Sequence, residues 1–175
     1  MSITIRPATL QDVLAIQSIY APYVTDTAIS LELEVPTAAE METRLTTTLK
    51  AGFPYLVAIN EEEQVIGFAY AGKFHERKAY DYCCTISIYL AQNAQAKGIG
   101  QQLYQQLEQE LYQLGFIQIV SLITSENQKS IAFHLKNNFT QMGYFANAGY
   151  KFNQWYDLVW YVKTINPEKI KTLAT

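Results

Sequence analysis

The chain has 175 residues, of which 49% are hydrophobic and 17% are charged. This length allows one domain to bury a core without metal ions or disulfide bonds. The formal net charge of -3 argues against a nucleic acid partner, because phosphate binding needs a basic face. No apolar run approaches the roughly 18 residues that a membrane span requires. We therefore expect a cytoplasmic protein that binds neither nucleic acid nor membrane.

The two cysteines, Cys83 and Cys84, are adjacent, and the chain has only two histidines. Neighbouring residues of a strand point to opposite faces, so these thiols are poorly placed to bond each other or to share a metal ion. Zinc-ligand spacing is absent as well. The sequence therefore predicts two reduced thiols and no metal site.

The first half of the chain predicts a strand, two helices and a hairpin. Ile3 and Ile5 alternate with polar residues, as they would in a strand. Thr9 is a candidate helix N-cap with an apolar stripe after it, and we expect Pro22 to stop that helix. In chain order, the elements are a strand at 2–6, a helix from Thr9 to Pro22, a helix from Thr37 through Leu49, and antiparallel strands at 55–59 and 65–71.

The second half alternates strands with helices. Asn138 stands where a left-handed helix cap is expected. The predicted elements are strands at 83–90, 116–123, 139–146 and 153–163, a helix from Gly100 to Gly115, and a helix at 130–137. This order predicts an α+β fold, with a mixed, mostly antiparallel sheet of about seven strands flanked by about four helices. We expect one domain over residues 1–165 and a short tail over 166–175.

The loop Gln95–Gly100 lies between a predicted strand and a long helix. Amides at such a junction point toward one spot, and the helix dipole favours an anion there. Gly98 and Gly100 leave room for a diphosphate, and Lys97 adds positive charge. The loop lacks the features of a nucleoside-triphosphate P-loop and of the three-glycine dinucleotide fingerprint. By itself it fits a diphosphate site and a simple tight turn equally well.

The spacing Gln95-x-x-Gly98-x-Gly100 resembles the Gln/Arg-x-x-Gly-x-Gly/Ala motif of the GCN5-related N-acetyltransferase (GNAT) superfamily. Further segments resemble the phosphinothricin-acetyltransferase-like branch: the opening at 5–9, the strand at 53–58, the cofactor strand at 87–90, and the ending at 149–157. Together they span nearly the whole domain, and the resemblance implies a GNAT-like fold and an acetyl-CoA-dependent N-acetyltransferase.

The resemblance also implies where acetyl-CoA binds. The pantetheine arm is expected along one strand, the diphosphate on the loop amides, and Asn127 is expected to hydrogen-bond the arm. The implied cofactor residues are Ile88, Tyr89, Leu90, Gln95, Ala96, Lys97, Gly98, Ile99, Gly100, Gln101 and Asn127.

The acceptor side follows from the same resemblance. His134 is expected near the thioester, and Glu32 on one wall of the acceptor pocket. The opposite wall is expected to carry Lys78, Ala79 and Tyr80. The acceptor would be a small-molecule amine, with amino acids and amino-acid-like compounds as candidates. Each of these two residues also has an alternative without a role in catalysis. His134 could be a half-buried residue that hydrogen-bonds a carbonyl, and Glu32 could be a solvated loop carboxylate.

The catalytic base is the point at which the sequence departs from this branch. The usual glutamate position holds Thr85, and a neutral hydroxyl is no general base near neutral pH. The oxyanion donor would be the backbone N–H of Tyr89 or Leu90. Three alternatives follow for the amine proton: a route through water to Glu32, Asp81 or Glu126, transfer to His134, or an acyl-CoA-binding module with weak or no catalysis. The aromatic-rich terminal hairpin is a candidate homodimer surface.

Overall fold

The computed structural model describes residues 3–95 and 98–173. Twelve helices and strands follow in chain order: β1 (Thr4–Pro7), α1 (Val13–Thr25), α2 (Ala38–Lys50), β2 (Tyr55–Ile59), β3 (Val65–Lys73), β4 (Cys83–Leu90), α3 (Ile99–Gln113), β5 (Gln118–Thr124), α4 (Gln128–Lys136), β6 (Thr140–Lys151), β7 (Gln154–Thr164) and α5 (Pro167–Leu173). Short 3-10 turns occupy Leu10–Asp12, Lys78–Tyr80 and Gln92–Ala94.

All seven strands form one sheet, in the order β1-β2-β3-β4-β5-β7-β6. Neighbours pair antiparallel except for β4 and β5, which are parallel. This confirms the α+β prediction of a mixed, mostly antiparallel sheet. The described residues contain five α-helices rather than about four.

The parallel pair is short. In the part of the chain that the structure describes, its ladder joins Cys83–Thr85 to Gln118–Val120 and goes no further. Beyond Thr85 the two strands part, while β4 stays paired to β3 as far as Leu90. The sheet is therefore opened along the second half of β4.

Two hydrophobic clusters cover the two faces of the sheet. One contains Leu103, Leu107 and Leu111 of α3, which share one helix face and are completely buried. The other is built by α1 and α2 over Phe68. Side chains alternate along a strand, so β4 turns Cys84 and Ile86 toward α3. It turns Thr85, Ser87 and Tyr89 toward α1 and α2.

The prediction that Pro22 stops the first helix is wrong. Pro22 lies inside α1, which continues to Thr25. A proline removes one N–H and crowds the preceding turn. Here Val24, which is 1% exposed, packs in the core, and the amide of Asp26 still donates to the Pro22 carbonyl at 3.0 Å. Burial of the next turn therefore outweighs the lost bond.

Residues after 165, expected to be a tail, include the helix α5. Its Lys169 ammonium donates to the Gly115 carbonyl at 2.7 Å and lies 4.8 Å from the centroid of the Tyr82 ring. Seven residues are too few for a helix that stands alone, so these contacts hold α5 against the domain.

Two smaller predictions are confirmed, namely the free thiols and the left-handed conformation of Asn138. Cys84 is buried, Cys83 is partly buried, and both are free thiols. Asn138 has a positive φ of 65°. Within residues 3–95 and 98–173, no group of three or more His, Cys, Asp or Glu side chains could hold a metal ion. In the same residues, every helix is too short or too polar to cross a bilayer.

Candidate active site

A cleft of about 480 Å³ opens where β4 and β5 part. It is lined by both strands, by the start of α3 and by α4. Among the residues implied by the family resemblance, the following line it: Ile88, Tyr89, Leu90, Gln95, Gly98, Gly100, Gln101, Asn127 and His134. The structure thus brings most of the predicted cofactor residues to one place.

The amino end of α3 forms the mouth of this cleft. Gly98 is the N-cap, with φ 75° and ψ 2°, a conformation that glycine adopts without strain. A Cβ there would meet no atom within 4 Å, so the space beside it is open. The first amides of α3, from Ile99 onward, have no partner within the helix and are suited to an anion. Ala96 and Lys97 lie outside the described residues.

The open edge of β4 is capped by Tyr23 of α1. Its hydroxyl donates to the Leu90 carbonyl at 2.6 Å and accepts from the Leu90 amide at 3.3 Å. The Gln95 side-chain amide lies 3.5 Å from the same hydroxyl. A pantetheine arm that pairs with Leu90 therefore has to share or displace the Tyr23 hydroxyl.

Two polar side chains in the cleft are tied within the protein. Gln101 and Asn137 exchange two side-chain hydrogen bonds, of 2.7 and 3.1 Å, and so connect the start of α3 to the end of α4. The Asn127 carboxamide oxygen accepts from the Ser130 amide at 3.2 Å and caps α4. Its NH2 group can still donate to a ligand.

His134 lies in the cleft wall and is only 7% exposed. Its Nδ1 is 2.7 Å from the Ser130 carbonyl oxygen, which can only accept, so Nδ1 carries the proton. Nε2 is then an acceptor for the Ser121 hydroxyl at 2.9 Å. Burial lowers the pKa of His134 below its usual value near 6.5. The imidazole is therefore neutral at pH 7, and its Nε2 lone pair accepts the Ser121 hydrogen bond.

Thr85 lies where β4 and β5 part, on the face of the sheet toward α1 and α2. Its hydroxyl donates to the Gly72 carbonyl at 3.3 Å. It has no group that can take up a proton near neutral pH.

Glu32 lies in the loop between α1 and α2, where both its oxygens accept from Arg44, at 2.6 and 3.1 Å. The Tyr20 hydroxyl donates to it at 3.0 Å. A carboxylate with this many donors is held in one orientation.

The loop that contains Lys78, Ala79 and Tyr80 forms a 3-10 turn just before β4. Tyr80 packs on His75 with ring centroids 4.7 Å apart, and Phe74 meets Trp160 of β7 edge to face at 6.1 Å. These rings give the loop a fixed aromatic base beside the N-terminal end of β4.

Three residues of the site were missed by the sequence analysis. Tyr23 extends the apolar stripe of α1 by one turn, and Ser121 is a polar residue inside a β-branched strand. Both features are visible in the sequence and could have marked these residues as candidates. Arg44 carries no signal, because its contact with Glu32 depends on how α2 packs against the preceding loop.

The parted strands and the open helix end beside them form a cleft that can hold a ligand with an anionic group. The chain matches the Acetyltransferase (GNAT) domain over residues 5–160. It belongs to the GNAT acetyltransferase family and transfers an acetyl group from acetyl-CoA to an amine.

Individual relatives agree with this assignment. Phosphinothricin N-acetyltransferase of Alcaligenes faecalis is 32% identical over 164 residues, which cover 93% of this chain and 83% of that enzyme. L-methionine sulfoximine/L-methionine sulfone acetyltransferase of Pseudomonas aeruginosa is 28% identical over 169 residues, covering 97% and 98%.

A solved structure extends the similarity to the cofactor. A GNAT superfamily phosphinothricin acetyltransferase from Sinorhizobium meliloti, crystallised with acetyl-CoA, superposes with a TM-score of 0.90 at 35% identity. The match covers 94% of this chain and 89% of that one. The alternative of a binding module with weak or no catalysis gains no support from these enzymes.

Proposed function

We propose that this protein acetylates the α-amino group of a small amino acid or amino-acid-like compound. The observation that carries the proposal is similarity over nearly the whole chain to enzymes whose names specify phosphinothricin and methionine sulfoximine. The family resemblance puts Lys78 at the acceptor pocket, and its side chain is exposed. Among the described residues, its ammonium makes no hydrogen bond or ion pair with another side chain, so it is a candidate to hold an acceptor carboxylate.

Acetyl-CoA supplies an activated thioester, and the residues in the cleft fit it. The free amides at the start of α3 suit the diphosphate. Along β4, main-chain groups alternate between the two neighbours of the strand. The Ala91 amide donates to Ile66 on the β3 side, so the Tyr89 amide also faces β3. The main-chain groups of Ile88 and Leu90 therefore face the cleft. This favours these two residues for the main-chain contacts with the cofactor, and the Leu90 amide as the oxyanion donor.

His134 is the best-placed group for the amine proton. The incoming amine has to lose one proton, and the departing thiolate gains one, so a single group can serve both steps. Neutral His134 can accept the proton at Nε2 through the Ser121 hydroxyl, which would pass its own proton on as it takes the new one. The protonated imidazole can return it by the same path.

The other proton acceptors fit less well. Glu32 already accepts from Arg44 and Tyr20, which favours a role in shaping the acceptor wall. Asp81 and Glu126 are exposed. Thr85 would contribute its size and its hydroxyl to the same wall rather than a proton.

The assay for this proposal is thiol release from acetyl-CoA across a panel of amines. We expect release with α-amino acids and only weak release with amines that lack a carboxylate, such as ethanolamine. Lys78→Met should raise KM for amino acids by about tenfold and leave KM for ethanolamine unchanged. Equal activity on both acceptor types would contradict the assignment of the substrate class.

The homodimer expected from the sequence stays a prediction, with a structural reason. β6 and β7 carry large exposed apolar side chains, among them Phe145 at 61% and Trp155 at 60%. Patches of this kind mark interfaces. Sedimentation should give a dimer that Phe145→Asp dissociates. Leu14→Asp, on an exposed position of α1, is the control that should not. The cytoplasmic location also stays a prediction.

A further inference from the structure

A second cavity, of about 390 Å³, lies between α2 and the sheet face formed by β2, β3 and β4. We call it the α2 pocket. Its floor is a cluster of three rings, Tyr55, Phe68 and Tyr70, whose planes lie within 15° of parallel and whose centroids are 4.9 to 6.3 Å apart. Aromatic floors of this kind bind apolar or planar groups.

The α2 pocket adjoins the cofactor cleft. Tyr89 lines both cavities, and its ring packs against Tyr20 at 5.0 Å and Phe68 at 5.2 Å. Tyr70 pairs with Ser87 across the β3–β4 ladder, so the pocket opens beside the stretch of β4 that follows Thr85. A group in this pocket therefore lies next to the place where the acyl group is transferred.

Two polar side chains at the α2 pocket are already engaged by neighbouring residues. Arg44 borders it with its guanidinium bonded to Glu32. The Tyr20 hydroxyl lies 2.7 Å from the Ser30 hydroxyl and donates to Glu32. The rest of the lining is mainly aromatic, with Met41 beside the rings. An apolar occupant therefore gains contacts with this surface, whereas a polar occupant would lose its water for few new hydrogen bonds.

From these contacts we propose that the α2 pocket receives the apolar side chain of the acceptor, so that the preferred substrates are amino acids with bulky aliphatic or aromatic side chains. The inference rests on the proposed function and deepens it. The pocket lies on the α1 and α2 face of β4, together with Thr85 and Glu32. Ile86, on the opposite face of β4, lines the cofactor cleft. The two faces of β4 therefore border different cavities, and the α2 pocket is on the face expected to bind the acceptor. This favours the acceptor over the acyl group as its occupant.

The test compares kcat/KM for L-alanine, L-serine, L-leucine and L-phenylalanine by thiol release. We expect L-leucine and L-phenylalanine to exceed L-alanine by at least about tenfold, the usual effect of added apolar contacts in such a pocket. L-Serine should be no better than L-alanine. If the enzyme acetylates all four equally, the α2 pocket does not select the side chain, although the proposed function stands. If none is acetylated, the proposed function fails and the inference fails with it.

Two tryptophan variants on α2 locate the effect. Thr47 is exposed and lines the pocket, so Thr47→Trp should fill it from the helix surface and lower the leucine-to-alanine ratio of kcat/KM at least tenfold. Leu49→Trp, on the same helix at a position that is 40% exposed, should leave the ratio unchanged. Thermal unfolding checks that both variants are folded. A change in preference between acetyl-CoA and butyryl-CoA, with the ratio intact, would assign the pocket to the acyl chain and overturn the inference.

Discussion

The two halves of the β4–β5 pair differ sharply although they belong to the same strands. In the paired half, Cys84 and Ile119 are opposite each other and completely buried. In the parted half, Ser87 and Ile88 are half-buried, and Leu122 is 46% exposed. The first half is a piece of core, and the second is the wall of a cleft.

The difference shows where the fold makes room for a ligand. A parallel ladder satisfies the main chain of both strands, so ending it early leaves polar groups along the open edge. Tyr23 caps Leu90 there, and His134 meets Ser121 on the other side. The site is thus made from an interruption of the sheet, and four substitutions can test the contrast.

The largest effect is expected at the mouth of the open half. Gly98→Trp should fill the space beside the start of α3 and abolish acetyl-CoA binding in calorimetry. Gly52→Trp is the matched control, because Gly52 also has a positive φ, of 81°, and an equally open Cβ position, but it follows α2 outside the cleft. Both variants bear the same backbone strain of roughly 1 kcal/mol. Equal binding by the two variants would show that the loop is misassigned.

In the closed half, Ile119→Ala should lower the free energy of unfolding by about 3 kcal/mol, because it leaves a cavity in the core. Acetyl-CoA affinity should stay within about twofold. Leu122→Ala, three positions along β5, should cost less than about 1 kcal/mol. Urea unfolding of both variants, with calorimetry, checks the contrast. Similar losses of stability at the two positions would contradict it.

Lys151 tests how the loop between α1 and α2, which carries Glu32, is held in place. Its buried ammonium donates to three carbonyl oxygens, that of Val24 in the last turn of α1 and those of Thr27 and Ser30 in the loop after it, at 2.6 to 2.8 Å. Lys151→Met should cost about 2 kcal/mol in urea unfolding, since it orphans these carbonyls. The variant should also raise KM for the amine, because the loop carries Glu32. A stable variant with an unchanged KM would show that the loop holds itself.

The smallest effect is expected at His134. His134→Ala should lower kcat by somewhat more than about tenfold, within the usual range for one proton-transfer group. Burial lowers the pKa of His134, so kcat should be constant above pH 6.5 and fall as the pH drops through the folded pKa. The variant should lack this acid limb. A retained limb would remove His134 from the proton path.

The lowered pKa of His134 also makes the stability of the protein depend on pH. The folded pKa lies below the unfolded one, so the contribution of neutral His134 is complete above about pH 6.5 and is lost as the pH falls through the folded value. Unfolding measured between pH 7 and pH 5 should show this loss in the wild type and less of it in His134→Ala.

The sequence was informative where local patterns decide the structure. The strand Cys83–Leu90 was predicted with its observed bounds, because alternating β-branched residues are bounded by a polar loop. The glycines after it placed the start of α3 to within one residue. The cofactor assignment needed the family resemblance as well, since two glycines at a helix start fit a plain turn equally well.

The rest depended on contacts between distant residues. No local pattern predicts that Lys151 is 3% exposed, since lysine is rarely buried and its partners lie more than 120 residues earlier. The helix α5 was missed because its stability comes from Lys169 on Gly115 rather than from an apolar stripe. Pro22 was misread because tertiary packing of Val24 overrides helix propensity.

The most direct test of the account is a crystal structure of this protein with acetyl-CoA bound. We predict the diphosphate against the amides that follow Gly98, the pantetheine arm between the parted halves of β4 and β5, and the thioester facing Ser121 and His134. A cofactor bound on another surface, or a β4–β5 ladder that closes fully when acetyl-CoA binds, would contradict the account.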